Sequence, residues 1–125
     1  MSAENFPRLK RAVQALTQLA EVQLTLFPDF TCKADELVLD FDDGLYELVG
    51  YDERVDGQQK SAIERLDEII TAKSGSQRAD FWTEDALLGD AGWDEIRAQA
   101  KVVAEAFGWP IEKPTPSGAI YIPGA

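Results

Sequence analysis

Residues 34–50 decide the fold of this chain, because their sequence, ADELVLDFDDGLYELVG, fits two kinds of secondary structure. As a strand, residues 36–41 would alternate, with Leu37, Leu39 and Phe41 on one side. As a helix, six apolar residues over thirteen positions fall within about 120° of the helical wheel. These residues are Leu37, Val38, Phe41, Leu45, Leu48 and Val49. The helical pattern is the longer of the two, so we predict a helix.

The polar side of this predicted helix is strongly acidic. Residues 29–56 contain ten acidic residues and only two basic ones, which gives −8 of the net charge of −11. On the helical wheel the carboxylates lie opposite the apolar residues, and Tyr46 lies beside them. Because such a surface attracts cationic proteins, we predict that it binds a basic protein partner. The predicted partner-binding residues are Glu36, Asp40, Asp42, Asp43, Tyr46, Glu47, Asp52 and Glu53.

The residues before the acidic stretch predict one helix and an ambiguous connection. Residues 6–22 have apolar residues at helical spacing, and Pro7 lies in the first turn, where its missing N–H is tolerated. The following Leu24, Leu26 and Phe27 alternate with other residues, which is compatible with a short strand or with more helix.

Three helices are predicted after the acidic stretch from their capping residues. Asp56 followed by Gln59 is a capping-box sequence, and Ser74-Gly75 marks the end of the helix that it begins. The predicted caps and ends of the next two helices are Thr83 with Gly89 and Asp90 with Gly108. The tryptophans Trp82, Trp93 and Trp109 are expected to belong to the core or to helix ends.

These elements predict a mostly α, single-domain helical bundle of about four to five helices over residues 1–125. Residues 110–125 form a proline-rich tail, in which only residues 119–122 are strand-like. That short stretch is compatible with a strand at a sheet edge, with packing across the helices, or with a poorly ordered tail.

Composition excludes several classes of function. The chain has no histidine and one cysteine, which excludes Ser-His-Asp and Cys-His catalysis and nearly every kind of zinc site. The net negative charge disfavours nucleic acid and anionic membranes. No apolar run is long enough to span a membrane, and the N-terminus lacks a secretory signal. We therefore expect a cytoplasmic protein without a cofactor or metal.

One motif suggests an enzyme instead. Residues 37–44, LVLDFDDG, resemble the first motif of the haloacid-dehalogenase-type phosphatases. The resemblance implies Mg²⁺-dependent hydrolysis, with Asp40 as the nucleophile and Asp42 as the proton donor. The additional Asp43 and the Leu45 that replaces a threonine depart from that motif. This alternative requires residues 36–41 to form a buried strand that ends at Asp40.

Two further features suggest an inhibitor. The aspartate-rich residues 39–43 and the later helix start at residues 81–83 make the chain resemble small acidic bacterial immunity proteins of polymorphic-toxin and contact-inhibition systems. The resemblance implies a non-catalytic cytosolic protein that neutralises a basic toxin by masking its working surface. A regulatory adaptor with another partner fits the same residues, and the sequence leaves the oligomeric state open.

Overall fold

The computed structural model describes residues 6–27, 32–48, 55–73 and 82–114, and these residues form six α-helices. The helices are α1 Pro7–Thr17, α2 Ala20–Gln23, α3 Lys33–Leu45, α4 Gly57–Ala72, α5 Glu84–Gly89 and α6 Ala91–Phe107, and a 3₁₀ turn at Tyr46–Leu48 follows α3. Four of the six have seven or more residues. The predicted mostly α fold is therefore confirmed.

Helix α1 lies between α3 and α6, and α6 in turn packs against α4. The short helix α5 contacts α2, α3 and α6. Apolar side chains from α1, α3, α4, α5 and α6 form one core, because each long helix turns an apolar face toward its neighbours. The largest fully buried apolar side chains are Leu9, Leu16, Leu37, Phe41, Leu66, Leu87, Trp93 and Ile96.

Residues 33–45 form a helix, so the choice of helix over strand is confirmed. The α-helix ends earlier than the predicted residues 34–50, because Tyr46–Leu48 form a 3₁₀ turn, and residues 49–50 lie outside the described residues. Leu37 and Phe41 are fully buried on its inner side. Near its end, Gly44 lies directly against the backbone of Leu9 in α1, so closely that a Cβ on Gly44 would lie 2.7 Å from the Leu9 Cα. The absence of a side chain at Gly44 therefore permits the close approach of α1 and α3.

The capping box at the start of α4 is confirmed. The Gln59 N–H donates to Asp56 Oδ1 at 2.7 Å, and the Asp56 N–H donates to Gln59 Oε1 at 2.9 Å. Both bonds satisfy amides that the first turn leaves without a partner. The helix ends at Ala72, and the predicted stop at residues 74–75 lies outside the described residues.

The other predicted caps are also confirmed. Thr83 Oγ1 accepts the Ala86 N–H at the start of α5, and Asp90 Oδ1 accepts the Gly92 N–H at the start of α6. At the end of α6, Gly108 has a left-handed backbone with φ 74°. That conformation turns the chain back, as it commonly does at a helix end.

All three tryptophans pack as the sequence predicts. Trp93 is fully buried, and Trp82 contacts its ring edge-to-face with centroids 5.9 Å apart. Trp109 stacks on Phe107 with ring centroids 4.3 Å apart, and its backbone N–H donates to the carbonyl of Ala104 in the last turns of α6. The tryptophans are therefore structural residues.

The single helix predicted at residues 6–22 is wrong in its length. Helix α1 ends at Thr17, Gln18 is extended, and α2 is a separate turn. The fully buried Gln23 folds back so that its amide donates to the carbonyls of Ala15 and Leu16 at the end of α1. These bonds satisfy carbonyls that a continuous helix would have paired itself.

The connection after α2 is a turn and not a strand. The amides of Leu24, Thr25 and Leu26 donate to carbonyls three or four residues earlier. Beyond α6, residues 109–114 form neither helix nor strand. The strand-like residues 119–122 lie outside the described residues.

A candidate docking face on helix α3

The exposed side of α3 forms a continuous acidic and apolar strip. Its members all point to solvent and fall within an arc of about 100° at 3.6 residues per turn. They are Asp35, Leu39, Asp42 and Asp43 of α3 and Tyr46, the first residue of the 3₁₀ turn that continues it, and they are called here the outer face of α3. Helices α1 and α5 pack against α3, and Leu37 and Phe41 form its buried side.

The outer face of α3 carries negative charge without a nearby cation on its own helix. The sequence from residue 34 to residue 48 has no lysine or arginine. Lys33, at the first position of α3, is buried and forms an ion pair with Glu84 of α5 at 3.1 Å. Among the described residues, no ion pair includes Asp35, Asp42 or Asp43. Their charge is therefore available to a partner.

Two large apolar side chains interrupt this charge. Leu39 is 52% exposed, and Tyr46 is 75% exposed. They lie seven residues apart, two turns along the same side of the helix, with Asp42 and Asp43 between them. Tyrosine is enriched at protein interfaces, so the exposed ring of Tyr46 is suited to a contact with a partner.

Three further carboxylates lie on the edge of α3, and of the 3₁₀ turn after it, that faces α1. Glu36, Asp40 and Glu47 are half-buried. Glu47 Oε1 accepts the N–H of Leu9 at 2.9 Å, in the first turn of α1, where the preceding Phe6 offers no capping side chain. Glu47 therefore supports the fold directly, because it satisfies an amide that α1 leaves without a partner.

Asp40 occupies a less favourable place on this edge. Burial, with smaller contributions from the neighbouring carboxylates of Glu36 and Asp43, raises the pKa of Asp40 to about 6. The nearby Arg11 and Arg8 of α1 act in the opposite direction without cancelling the effect. Asp40 thus changes its charge close to neutral pH, unlike an ordinary surface aspartate.

The pKa of Asp42 is raised as well, from similar causes. Burial raises the pKa of Asp42, with further contributions from Asp67 of α4 and from Asp43. The end of α3 and the middle of α4 therefore place like charges near each other. A cationic group brought to this place would relieve that repulsion.

The structure divides the predicted partner-binding residues into three groups. Asp42, Asp43 and Tyr46 lie together on the outer face of α3. Glu36, Asp40 and Glu47 lie half-buried along the edge toward α1, and Asp52 and Glu53 lie outside the described residues.

The sequence-based choice omitted Leu39 and Asp35, which the outer face of α3 includes. Leu39 is the one leucine of residues 34–48 that falls outside the apolar arc of the helical wheel. In a helix, a leucine at that position is exposed to solvent, and this is the signal in the sequence that could have identified Leu39 as a binding residue.

The phosphatase hypothesis does not have the geometry that it requires. Residues 36–41 lie within α3, so Asp40 is in the middle of a helix and does not follow a buried strand. In the described parts of the chain, no three or more Asp, Glu, Cys or His side chains are grouped in a way that could hold a metal ion. The described helices also include none that is long and apolar enough to cross a membrane.

Comparisons of the chain with protein-family models, with curated proteins and with solved structures found no match.

Proposed function

We propose that this protein is a non-catalytic binding protein of the immunity type, which neutralises a basic partner protein such as a toxin by covering its working surface. The observation that carries the proposal is the outer face of α3, where three aspartates without an ion pair among the described residues accompany exposed Leu39 and Tyr46. This combination of charge and apolar surface fits a protein interface.

Electrostatics supports a cationic partner. The chain has a net charge of −11, and residues 34–48 contain six acidic residues and no basic one. A field of one sign speeds the encounter with a protein of the opposite sign, by a factor of about 10 to 1,000 at low ionic strength. Rapid association suits an inhibitor that must bind its target before the target acts.

The rigidity of α3 supports the same function. Its inner side is held by the fully buried Leu37 and Phe41, and its end is held by the Gly44 contact and the bond from Leu9 to Glu47. A face that is already ordered loses little conformational entropy when it binds. The outer face of α3 is therefore suited to tight binding without rearrangement.

The direct test is co-expression with the product of the neighbouring gene. We expect a stable complex that protects the host cell if that product is toxic, with an association rate that falls at least about tenfold between low and high salt. Protection by this chain without physical association, or an association rate independent of salt, would contradict the proposal. A Leu39→Asp and Tyr46→Asp double variant that still protected fully would also count against it.

A further inference from the structure

The outer face of α3 has the residue spacing by which one helix recognises another. Leu39, Asp42, Asp43 and Tyr46 occupy positions i, i+3, i+4 and i+7. At 1.5 Å per residue, the Cα atoms of Leu39 and Tyr46 are separated by about 10 Å along the helix axis. The four residues therefore form one strip, two turns long, with an apolar side chain at each end and two carboxylates in the middle.

A second copy of this chain is a poor occupant of this strip. A symmetric contact would place the aspartates of one outer face against those of the other, and each molecule also carries a net charge of −11. Nucleic acids and anionic membranes would meet the same repulsion. A cationic surface remains, and the apolar ends of the strip require that it have apolar side chains as well.

We infer that the outer face of α3 binds an amphipathic, cationic helix of the partner protein, which lies along α3 with apolar residues against Leu39 and Tyr46 and with lysine or arginine opposite Asp42 and Asp43. This inference rests on the proposed function and specifies the partner's surface. A helix is the favoured occupant because its own side chains repeat at three- and four-residue intervals and so match a straight strip of this length.

The two kinds of residue have different roles in this contact. Asp42 and Asp43 attract the cationic helix and mainly set the rate of association, which depends on salt. Leu39 and Tyr46 lose their exposed apolar surface to the partner and mainly set the rate of dissociation. Truncation of either apolar residue is expected to weaken binding by about tenfold, as is typical of a buried interface anchor.

The probes are two synthetic peptides of about 14 residues, or four helical turns, with the same composition of leucine, lysine, arginine and alanine. In one peptide the leucines form a single helical stripe flanked by the cationic residues, and in the other they are scattered around the helix. Each peptide is titrated into the ¹⁵N-labelled full chain, and amide chemical shifts report the binding site and the affinity.

We expect the striped peptide to shift the amides of residues 35–46 and to bind at least about fivefold more tightly than the scrambled peptide. Leu39→Ser and Tyr46→Ser should each lower its affinity about tenfold. Leu88→Ser is the matched control, because Leu88 is a 53% exposed leucine on α5, and this variant should leave the affinity unchanged. All three side chains are at least half exposed, so the fold should tolerate their replacement, and thermal unfolding of each variant checks this.

Two outcomes would overturn the inference, and they are distinguishable. In the first, both peptides bind with equal affinity, Leu39→Ser and Tyr46→Ser have no effect on it, and Asp42→Asn and Asp43→Asn lower it. That result would mean that α3 binds by charge alone. The proposed function would survive that result. Absence of shifts along α3 with either peptide would overturn both proposals.

Discussion

The carboxylate of Glu47 accepts a hydrogen bond from the backbone N–H of Leu9 at 2.9 Å, so a residue after α3 caps the first turn of α1. The residue that precedes α1, Phe6, has a left-handed backbone with φ 65° and no capping side-chain bond. Glu47 therefore performs from a distant part of the chain what a local N-cap usually does. The role of this acidic residue in the structure is therefore to stabilise the fold.

The first prediction concerns this cap. Glu47→Ala should lower the free energy of unfolding by about 1 to 2 kcal/mol, because the Leu9 amide loses its partner in a half-buried place. Urea unfolding measures the change. The control is Glu64→Ala on the exposed side of α4, which should have an effect of less than about 0.5 kcal/mol. Equal effects of the two variants would show that the Glu47 bond does not support α1.

The second prediction concerns the crossing of α1 and α3. Alanine in place of a mid-helix glycine usually stabilises a protein by about 1 kcal/mol. Gly44→Ala should instead destabilise this one by about 1 to 3 kcal/mol, since the new Cβ would lie 2.7 Å from the Leu9 Cα and the two backbones must separate.

Gly57→Ala is the matched control for Gly44, because a Cβ at Gly57 meets no atom within 4 Å. It should be neutral or stabilising in thermal unfolding. If Gly44→Ala stabilised the protein as much as Gly57→Ala does, the close approach of α1 and α3 would be wrong.

The third prediction concerns pH. The pKa of Asp40 rises from 3.8 to about 6 in the folded protein, so between these values the folded state binds more protons than the unfolded state. The contribution of Asp40 to the free energy of unfolding should therefore fall as pH rises from about 4 to about 6, and the loss should persist at neutral pH.

Replacement of Asp40 tests this directly. Asp40→Asn should raise the free energy of unfolding at about pH 7 by about 1 kcal/mol, after allowance for solvent screening, and should have little effect at about pH 4. Asp35→Asn, at an exposed position of the same helix, is the control. Urea unfolding at the two pH values measures both variants, and an Asp40→Asn effect independent of pH would contradict the prediction.

The fourth prediction concerns the buried Gln23. Its amide donates to Ala15 and Leu16 of α1, and its Oε1 accepts from the guanidinium of Arg97 at 2.8 Å. Burial lowers the pKa of Arg97, which agrees with a cation held among helices. Gln23→Ala would leave these groups without their partner and should destabilise the protein by about 3 kcal/mol.

Chemical denaturation checks the Gln23 prediction against Gln58→Ala, a change at an exposed position of α4 that should be nearly neutral. A loss below about 0.5 kcal/mol for Gln23→Ala would mean that water replaces the lost bonds and that the network is not structural.

Local signals in the sequence were sufficient for several elements. The pair Asp56 and Gln59 predicted its capping box, and the apolar spacing from Leu37 onward predicted helix over strand. These features depend on residues within a few positions of one another. They can therefore be predicted from the sequence before the fold is known.

Features that depend on distant contacts were not predictable in the same way. The break at Gln18 is accompanied by the folding back of Gln23 on α1, and the role of Glu47 depends on the position of α1 beside α3. The sequence marked Glu36, Asp40 and Glu47 as one acidic surface, because the helical wheel does not show which edge of a helix a neighbour covers. The packing of α1 against α3 makes these three residues half-buried and leaves Asp42 and Asp43 exposed.

The central claim is that the outer face of α3, and not the overall negative charge, selects the partner. Its most direct test compares two double charge reversals that change the net charge equally. One is Asp42→Lys with Asp43→Lys on α3, and the other is Glu64→Lys with Glu105→Lys, at exposed positions of α4 and α6. The measurement is the association rate with the basic partner protein at low salt.

The account predicts that the α3 reversal slows association at least about tenfold, while the α4 and α6 reversal slows it by no more than about twofold. Equal slowing by the two double variants would contradict it, because the partner would then respond to the net charge of the molecule and not to the outer face of α3.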